Sequence, residues 1–438
     1  MPLSKRSRGE RDAPRTSEPT GQQHGDAPRT SEPTGQPHGD APRTSEPTGQ
    51  QHLYLIFDDW EWGYSIRKLK LPLRSAHQPS LRPLEQRRLH RPAHKRLPPP
   101  CICLEAPRHR PSFFAAVGTD IIAAHPRNDF STSMVEQCFL PIFNVHSLGV
   151  RIGPGLLYRR GHPFLIPVGD EKLFALGMES FRMLSMKPPC SLYDWSWCDL
   201  PLPPLESGYV TSFAVGSDGR TIFASTDCAT FTFDIGNSEW KQSSNCSLPF
   251  TGAPNYVHAL DIFVGLSKAP DTYGHICFCR ELSGDKNVRF SKENLLFTDA
   301  GSHVAATLVY LRGTESGFCL VECLRIREGK SVRKWLDEYD QLCGELDQLK
   351  KNLDEGDGTS GSMQECGEID LDELNKFVDP GHYANMDGKY VYRLITFSLS
   401  FDNNGDLTTG DTSVVQFYEV PKKVSEAIYL LDPVAFWL

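Results

Sequence analysis

Between Gly208 and Leu266 the chain reads GYVTSFAVGSDGRTIFASTDCATFTFDIGNSEWKQSSNCSLPFTGAPNYVHALDIFVGL. Tyr209, Thr211, Phe213 and Val215 alternate with smaller residues, Gly216-Ser217-Asp218-Gly219 reverses the chain, and Thr221–Ser225 runs on in β-branched and aromatic residues. After the polar Ser225-Thr226-Asp227 turn, Thr230–Asp234 alternates again, Ile235–Ser238 turns, and Glu239–Gln242 begins a fourth strand. Four strands in about 35 residues describe one antiparallel meander. It is too short to bury a core alone, so it must stack against others like it.

The rest of the composition agrees. The 438 residues are 39% hydrophobic and 23% charged, and 35 glycines and 33 prolines supply turns for many short strands. A repeat architecture accommodates that length, because each unit mainly contacts its neighbours. The net charge of -9 gives no reason to expect nucleic acid. No apolar run approaches the roughly 20 residues of a membrane span, and MPLSKRSRGERD lacks the apolar core of a signal peptide. A soluble cytoplasmic or nuclear protein, not a secreted one, is the expectation.

The 13 cysteines therefore read as reduced thiols. Cys101/Cys103, Cys277/Cys279 and Cys319/Cys323 sit at even spacings, which on strands put both thiols on one face. They lack the turn geometry of zinc knuckles, so core packing is favoured over metal. Neither a cofactor nor a metal site is expected.

Residues 11–52 repeat with a period of 14: RDAPRTSEPTGQQH, GDAPRTSEPTGQPH, GDAPRTSEPTGQQH. Residues 11–52 hold no large apolar residue to bury, and 1–52 is expected to be a disordered tail. Order is expected from Leu53, where Leu53–Phe57 reads as a buried strand. Asp59-Trp60-Glu61-Trp62 returns as Asp194-Trp195-Ser196-Trp197, the trace that a repeated sheet unit leaves. Residues 72–111 break the pattern, with nine Lys or Arg against Glu85 and Glu105 among prolines and histidines. No aromatic residue is interleaved for base stacking, so the segment reads as a solvated, disordered loop, with nucleic-acid binding kept as an alternative. His90 and His94 are four apart, but Pro92 between them opposes the helix that would pair them as ligands.

From Ser112 to Leu184 and again from Tyr256 to Ile326, short apolar runs alternate with Gly, Pro and Asp turns. A strand, a Trp and a Leu-Pro connection recur at Trp197/Leu200 and Trp240/Leu248, a spacing of about 50 residues that suits propeller blades of the kelch kind. Trp60, Trp62, Trp195, Trp197, Asp234 and Trp240 are accordingly read as structural blade residues, Trp240 as packing between blades. Within an insertion at 330–388, Val332, Trp335, Tyr339, Leu342, Leu346, Leu349 and Leu353 are spaced 3, 4, 3, 4, 3, 4. That stripe predicts an amphipathic helix over 331–353, serving a homodimer, a partner protein, or simply the propeller surface. Asp402-Asn403-Asn404-Gly405-Asp406 resembles the start of a calcium loop, but Leu407 and the missing bidentate Glu make it a hairpin turn.

No G-x-S-x-G elbow, P-loop or H-E-x-x-H is present, and no enzyme is expected. HLYLIFDDWEWGYSIRKLKL, IPVGDEKLFALGMESFRML, WSWCDLPLPP, DGRTIFAST, ATFTFDIGNSEW, LPFTGAPNYVHALDIFVGL and ATLVYLRGTESGFCLVECLRI occur in that order. Together they resemble the signature blocks of a plant family expanded in grasses, of the domain-of-unknown-function 1668 type. Its members are similar to kelch-like or F-box-associated β-propellers. The resemblance spans about residues 52 to 330 plus the final hairpin, and it implies a fold without an activity. The tandem repeat and the basic stretch, where the family leads one to expect a Ser- and acid-rich linker, depart from it. The expectation is an all-β propeller of six or seven four-stranded blades over 53–438, binding an unknown protein partner through its loops. An enzyme or carbohydrate-binding propeller with a site in its central channel is the alternative.

Overall fold

Strands are numbered in chain order. The computed structural model describes residues 51–72, 93–106, 113–126, 135–159, 163–190, 194–204, 210–282, 288–296, 302–326, 389–409, 414–421 and 433–438, together with Lys334 and Gln341. The first blade takes β1 (Leu53–Trp60), β2 (Gly63–Leu69) and β4 (Ile102–Glu105) from the start of the chain. Its innermost strand, β27 (Val434–Trp437), comes from the end. Blade 2 is β5 (Phe113–Val117), β6 (Asp120–Pro126), β7 (Val135–Asn144) and β8 (Val150–Arg159). Blade 3 is β9 (Phe164–Val168), β10 (Lys172–Leu176), β11 (Phe181–Ser185) and β12 (Cys198–Asp199). Blade 4 is β13 (Ser212–Val215), β14 (Thr221–Ser225), β15 (Thr230–Asp234) and β16 (Glu239–Ser244), and blade 5 is β17 (Phe250–Val257), β18 (Ile262–Ser267), β19 (His275–Cys279) and β20 (Arg289–Asn294). Blade 6 is β21 (His303–Tyr310), β22 (Gly317–Ile326), β23 (Lys389–Ser398) and β26 (Val414–Glu419), with the small hairpin β24 (Ser400–Phe401) and β25 (Leu407–Thr408) beside it.

The side-chain period of two builds the ring. On β1, Leu53, Leu55 and Phe57 enter the core between blades 6 and 1, while Tyr54 and Ile56 enter the core between blades 1 and 2. On β10, Leu173 and Ala175 face blade 2, and Phe174 and Leu176 face blade 4. Each blade is thus buried on both faces, which is why its inner strands read as nearly continuous apolar runs. Further cores between blades 4 and 5 and between blades 5 and 6 complete six seams, so the propeller has six blades.

Two expectations change. The basic segment 72–111 contains two strands, because pairing supplied by β2 and β26 outweighs its poor local pattern. β4 pairs with β2, Cys101 N–H donates to the Ile66 carbonyl at 2.8 Å, and Arg67 donates to the Pro98 carbonyl at 2.6 Å. β3 (Ala93–Lys95), which includes His94, reaches past the ring closure and pairs in parallel with β26 as a fifth strand of blade 6. The second change concerns the inserted helix. Val332, Trp335, Tyr339, Leu342, Leu346, Leu349 and Leu353 lie outside the described residues, and helical geometry at Lys334 and Gln341 alone does not establish it. The homodimer drawn from it has no support. The repeats of residues 1–52 lie outside the described residues up to Gln50, as do His90 and the acidic segment 365–379.

Candidate functional site

Blade 5 approaches blade 6 through a short 3-10 turn, Pro270–Thr272, between β18 and β19. β18 runs back against β17, so this turn lies at the end of the ring from which the inner strands start, beside His303 at the start of β21. Gly274 makes the turn possible. Its φ is +88°, and a Cβ there would come within 2.3 Å of Asn294 Oδ1. Asn294 in turn donates Nδ2–H to the Tyr273 carbonyl at 3.2 Å, and Leu295 N–H donates to Gly274 O at 3.0 Å.

Tyr273 is thereby presented with its side chain 49% exposed and its ring edge-on to His303, centroids 5.5 Å apart. Its hydroxyl lies 2.9 Å from His303 Nε2, and His303 Nδ1 lies 2.8 Å from Glu322 Oε1. Glu322 is fully buried on β22, and its register partner on β23 is Arg393, whose Nη1 lies 2.9 Å from Glu322 Oε2. Arg393 Nη2 also donates to the Leu295 carbonyl at 2.6 Å. A row Tyr273–His303–Glu322–Arg393, hydrogen-bonded from Tyr273 to Glu322 and ion-paired from Glu322 to Arg393, therefore crosses the seam from solvent to core. An ionised carboxylate has acceptors only, so Glu322 takes the Nδ1–H of His303 and leaves Nε2 to accept from the Tyr273 hydroxyl. No linear motif could reveal it, since its members come from four separate elements.

A second feature lies on the rim. Asn144 Oδ1 accepts from Ser147 N–H at 2.8 Å and His146 N–H at 3.1 Å, and this tight turn between β7 and β8 leaves Leu148 at φ +56°. For a leucine that conformation costs about 1 kcal/mol or more. Leu148 is 64% exposed, and Val150 and Ile152 on the same face of β8 are 45% and 51% exposed. Between them Arg151 points the other way, to Asp120 and to the Trp195 ring, 6.0 Å from its centroid. The outer strands of blades 3 to 6 are blunted. β12 has two residues, β16 and β20 read EWKQSS and RFSKEN, and β26 is covered by β3. Farther along β8, Trp197 Nε1–H donates to the Pro154 carbonyl at 3.0 Å and Arg182 to the Leu157 carbonyl at 2.9 Å, so blade 3 caps that half of the edge. The half beginning at Val150 has no strand on its outer side among the described residues.

The residues singled out from sequence fall mainly at seams. Trp195 is buried and donates to the Ser185 carbonyl at 2.7 Å. Trp240 lies against Phe181 of blade 3 and donates to the Pro201 carbonyl at 2.8 Å. Asp234 caps its turn through Gly236 N–H at 2.7 Å. Trp60 ends β1 partly buried, and Trp62 is 60% exposed. Cys277, Cys279, Cys319 and Cys323 are buried, whereas Cys101 and Cys103 are exposed. Burial pushes the Cys277 and Cys279 thiols up to about 12. Among the described residues no group of three or more His, Cys, Asp or Glu side chains gathers as metal ligands would, and no helix is long and apolar enough to cross a membrane. In the 402–406 turn, Lys292 Nζ lies 2.8 Å from Asp402 and 2.9 Å from Asp406, so one ammonium bridges the two carboxylates and offsets one of their charges.

The family model described as protein of unknown function (DUF1668) matches residues 50–352. No curated protein matches the chain. Among solved structures, a protein of unknown function from Bacteroides thetaiotaomicron VPI-5482 is similar at 12% identity and a TM-score of 0.35, over 51% of this chain and 56% of its own. The chain thus spans little more than half of that protein. The nidogen/laminin complex is similar at 8% identity and a TM-score of 0.37, over 63% of this chain and 88% of its own. The β-propeller domain of the Trilobed protease from Pyrococcus furiosus is similar at 13% identity and a TM-score of 0.26, over 68% of this chain and 85% of its own.

Proposed function

The chain belongs to the DUF1668 family, and from that premise we propose that it is a protein-interaction module whose binding surface is the β7–β8 rim of blade 2. The observation that carries this reading is Leu148, an apolar residue held at φ +56° and left 64% exposed at the head of a strand edge that no other strand among the described residues pairs. Backbone strain of this kind persists where the surrounding structure enforces it, and such places are enriched in functional sites. Leu148, Val150 and Ile152 together offer an apolar stripe, and the adjoining backbone offers strand hydrogen bonds. An extended segment of a partner protein, added as a further strand of blade 2, fits both. Blades buried on both faces hold the rim rigid, so little ordering cost falls on this side of the complex.

Selection of peptides displayed against the full chain tests the reading. Apolar extended peptides should be recovered, and their binding should slow amide exchange along β8. Ile152→Lys should abolish capture with the melting temperature unchanged. Peptides that bind Ile152→Lys equally well, or that protect another blade, would refute it.

A further inference from the structure

The seam between blades 5 and 6 holds a side-chain row separate from the rim. The geometry points to an acyl-transfer site in which Tyr273 is the nucleophile and His303 its general base, acting on esters of small carboxylic acids.

Three observations support it. The Tyr273 hydroxyl is 2.9 Å from His303 Nε2, within reach of direct proton transfer. His303 is held in the accepting tautomer by Glu322 at 2.8 Å, and Arg393 at 2.9 Å balances the buried carboxylate. This is the nucleophile, base and orienting acid of covalent catalysis, with a phenol in place of an alcohol. Tyr273 alone of the row is open to solvent, so an ester can reach the nucleophile while the rest stays shielded.

Tyr273 Oη attacks the ester carbonyl carbon while its proton passes to His303 Nε2. The carbon–oxygen bond to the alcohol breaks, and His303 returns the proton to the departing alkoxide. An acyl-tyrosine remains. It is an aryl ester with a good leaving group, and water activated by His303 attacks its carbonyl to regenerate the phenol and release the acid.

p-Nitrophenyl acetate and the full chain provide the test. The expected result is a burst of p-nitrophenolate equal to one per chain, with one acetyl group mapped to Tyr273. His303→Gln should slow the burst about 100-fold, and Tyr273→Phe should abolish it with unchanged melting. Should His303→Gln fail to fold, Tyr273→Phe alone decides. Acetyl groups found only on lysines, a burst of full size in Tyr273→Phe, or a folded His303→Gln that reacts as fast as the wild type would overturn the proposal.

Discussion

Trp437 and Gln51 stand 386 positions apart in the chain, yet the Trp437 indole N–H donates to Gln51 Oε1 at 3.0 Å. The same N–H reaches the Arg312 carbonyl of blade 6 at 2.9 Å, and Trp437 is buried in the core between blades 6 and 1. One side chain thus joins the start of blade 1, the turn of blade 6 and the last strand. Trp437→Ala is expected to cost about 3–5 kcal/mol in urea denaturation, more than any exposed substitution on the same blade.

Acid should weaken the ring at another seam. His125 is buried between blades 1 and 2, its Nδ1 3.2 Å from the Tyr64 hydroxyl, and burial pulls the imidazole down to about 4 from its ordinary 6.5. The fold holds His125 neutral, whereas the unfolded chain protonates it below about 6.5. Its contribution is therefore fully present above that pH and is lost as pH falls toward 4, by about 3 kcal/mol at the lower end. Melting temperature against pH should fall over this window in the wild type and fall less steeply in His125→Phe.

The ion pair of Glu322 and Arg393 gives a contrast between one substitution and two. Glu322 is fully buried and Arg393 nearly so. Arg393→Met leaves an uncompensated carboxylate and is expected to cost about 3–5 kcal/mol. Adding Glu322→Leu to it should recover much of that loss, since a neutral pair of similar volume avoids the desolvation of both charges. Calorimetry on the two variants measures the difference.

The tryptophans should separate in the same way. Trp240 is partly buried among Phe181 and Phe233, with ring centroids 5.2 and 5.1 Å away, so Trp240→Ala should fall near the lower end of about 3–5 kcal/mol. Trp62, 60% exposed, should stay within about 0.5 kcal/mol on the same substitution. Equal effects in chemical denaturation would contradict this placement.

Blade 4 was legible because its local and tertiary signals agree. The strands read from sequence at 221–225 and 230–234 are β14 and β15, and the glycine at 219 has φ +63° in the turn between β13 and β14. The six-fold closure was not legible, since the number of blades depends on how seams add around a ring and no single blade encodes it. β3 escaped because Ala93-His94-Lys95 has no strand pattern of its own and is held by β26. The Tyr273–His303–Glu322 row escaped for a related reason. Spacings of 30 and 19 residues carry no motif, and only the adjacency of two blades gives them meaning. The rim stripe lies among the short apolar runs read between Ser112 and Leu184, and only the fold shows that Leu148, Val150 and Ile152 face out.

The parallel pairing of β3 with β26 has a consequence for how the chain is made. During synthesis β1 emerges first and must wait for β27, while β3 waits for β26, each across more than 300 residues. Until then the first blade keeps an open inner edge, a template for pairing with a neighbouring nascent chain. Such distant contacts are slow to form, so closure comes last. Two strands that clasp the same seam from opposite sides make that late event cooperative, and truncation within the last hundred residues should yield aggregates rather than a five-bladed ring.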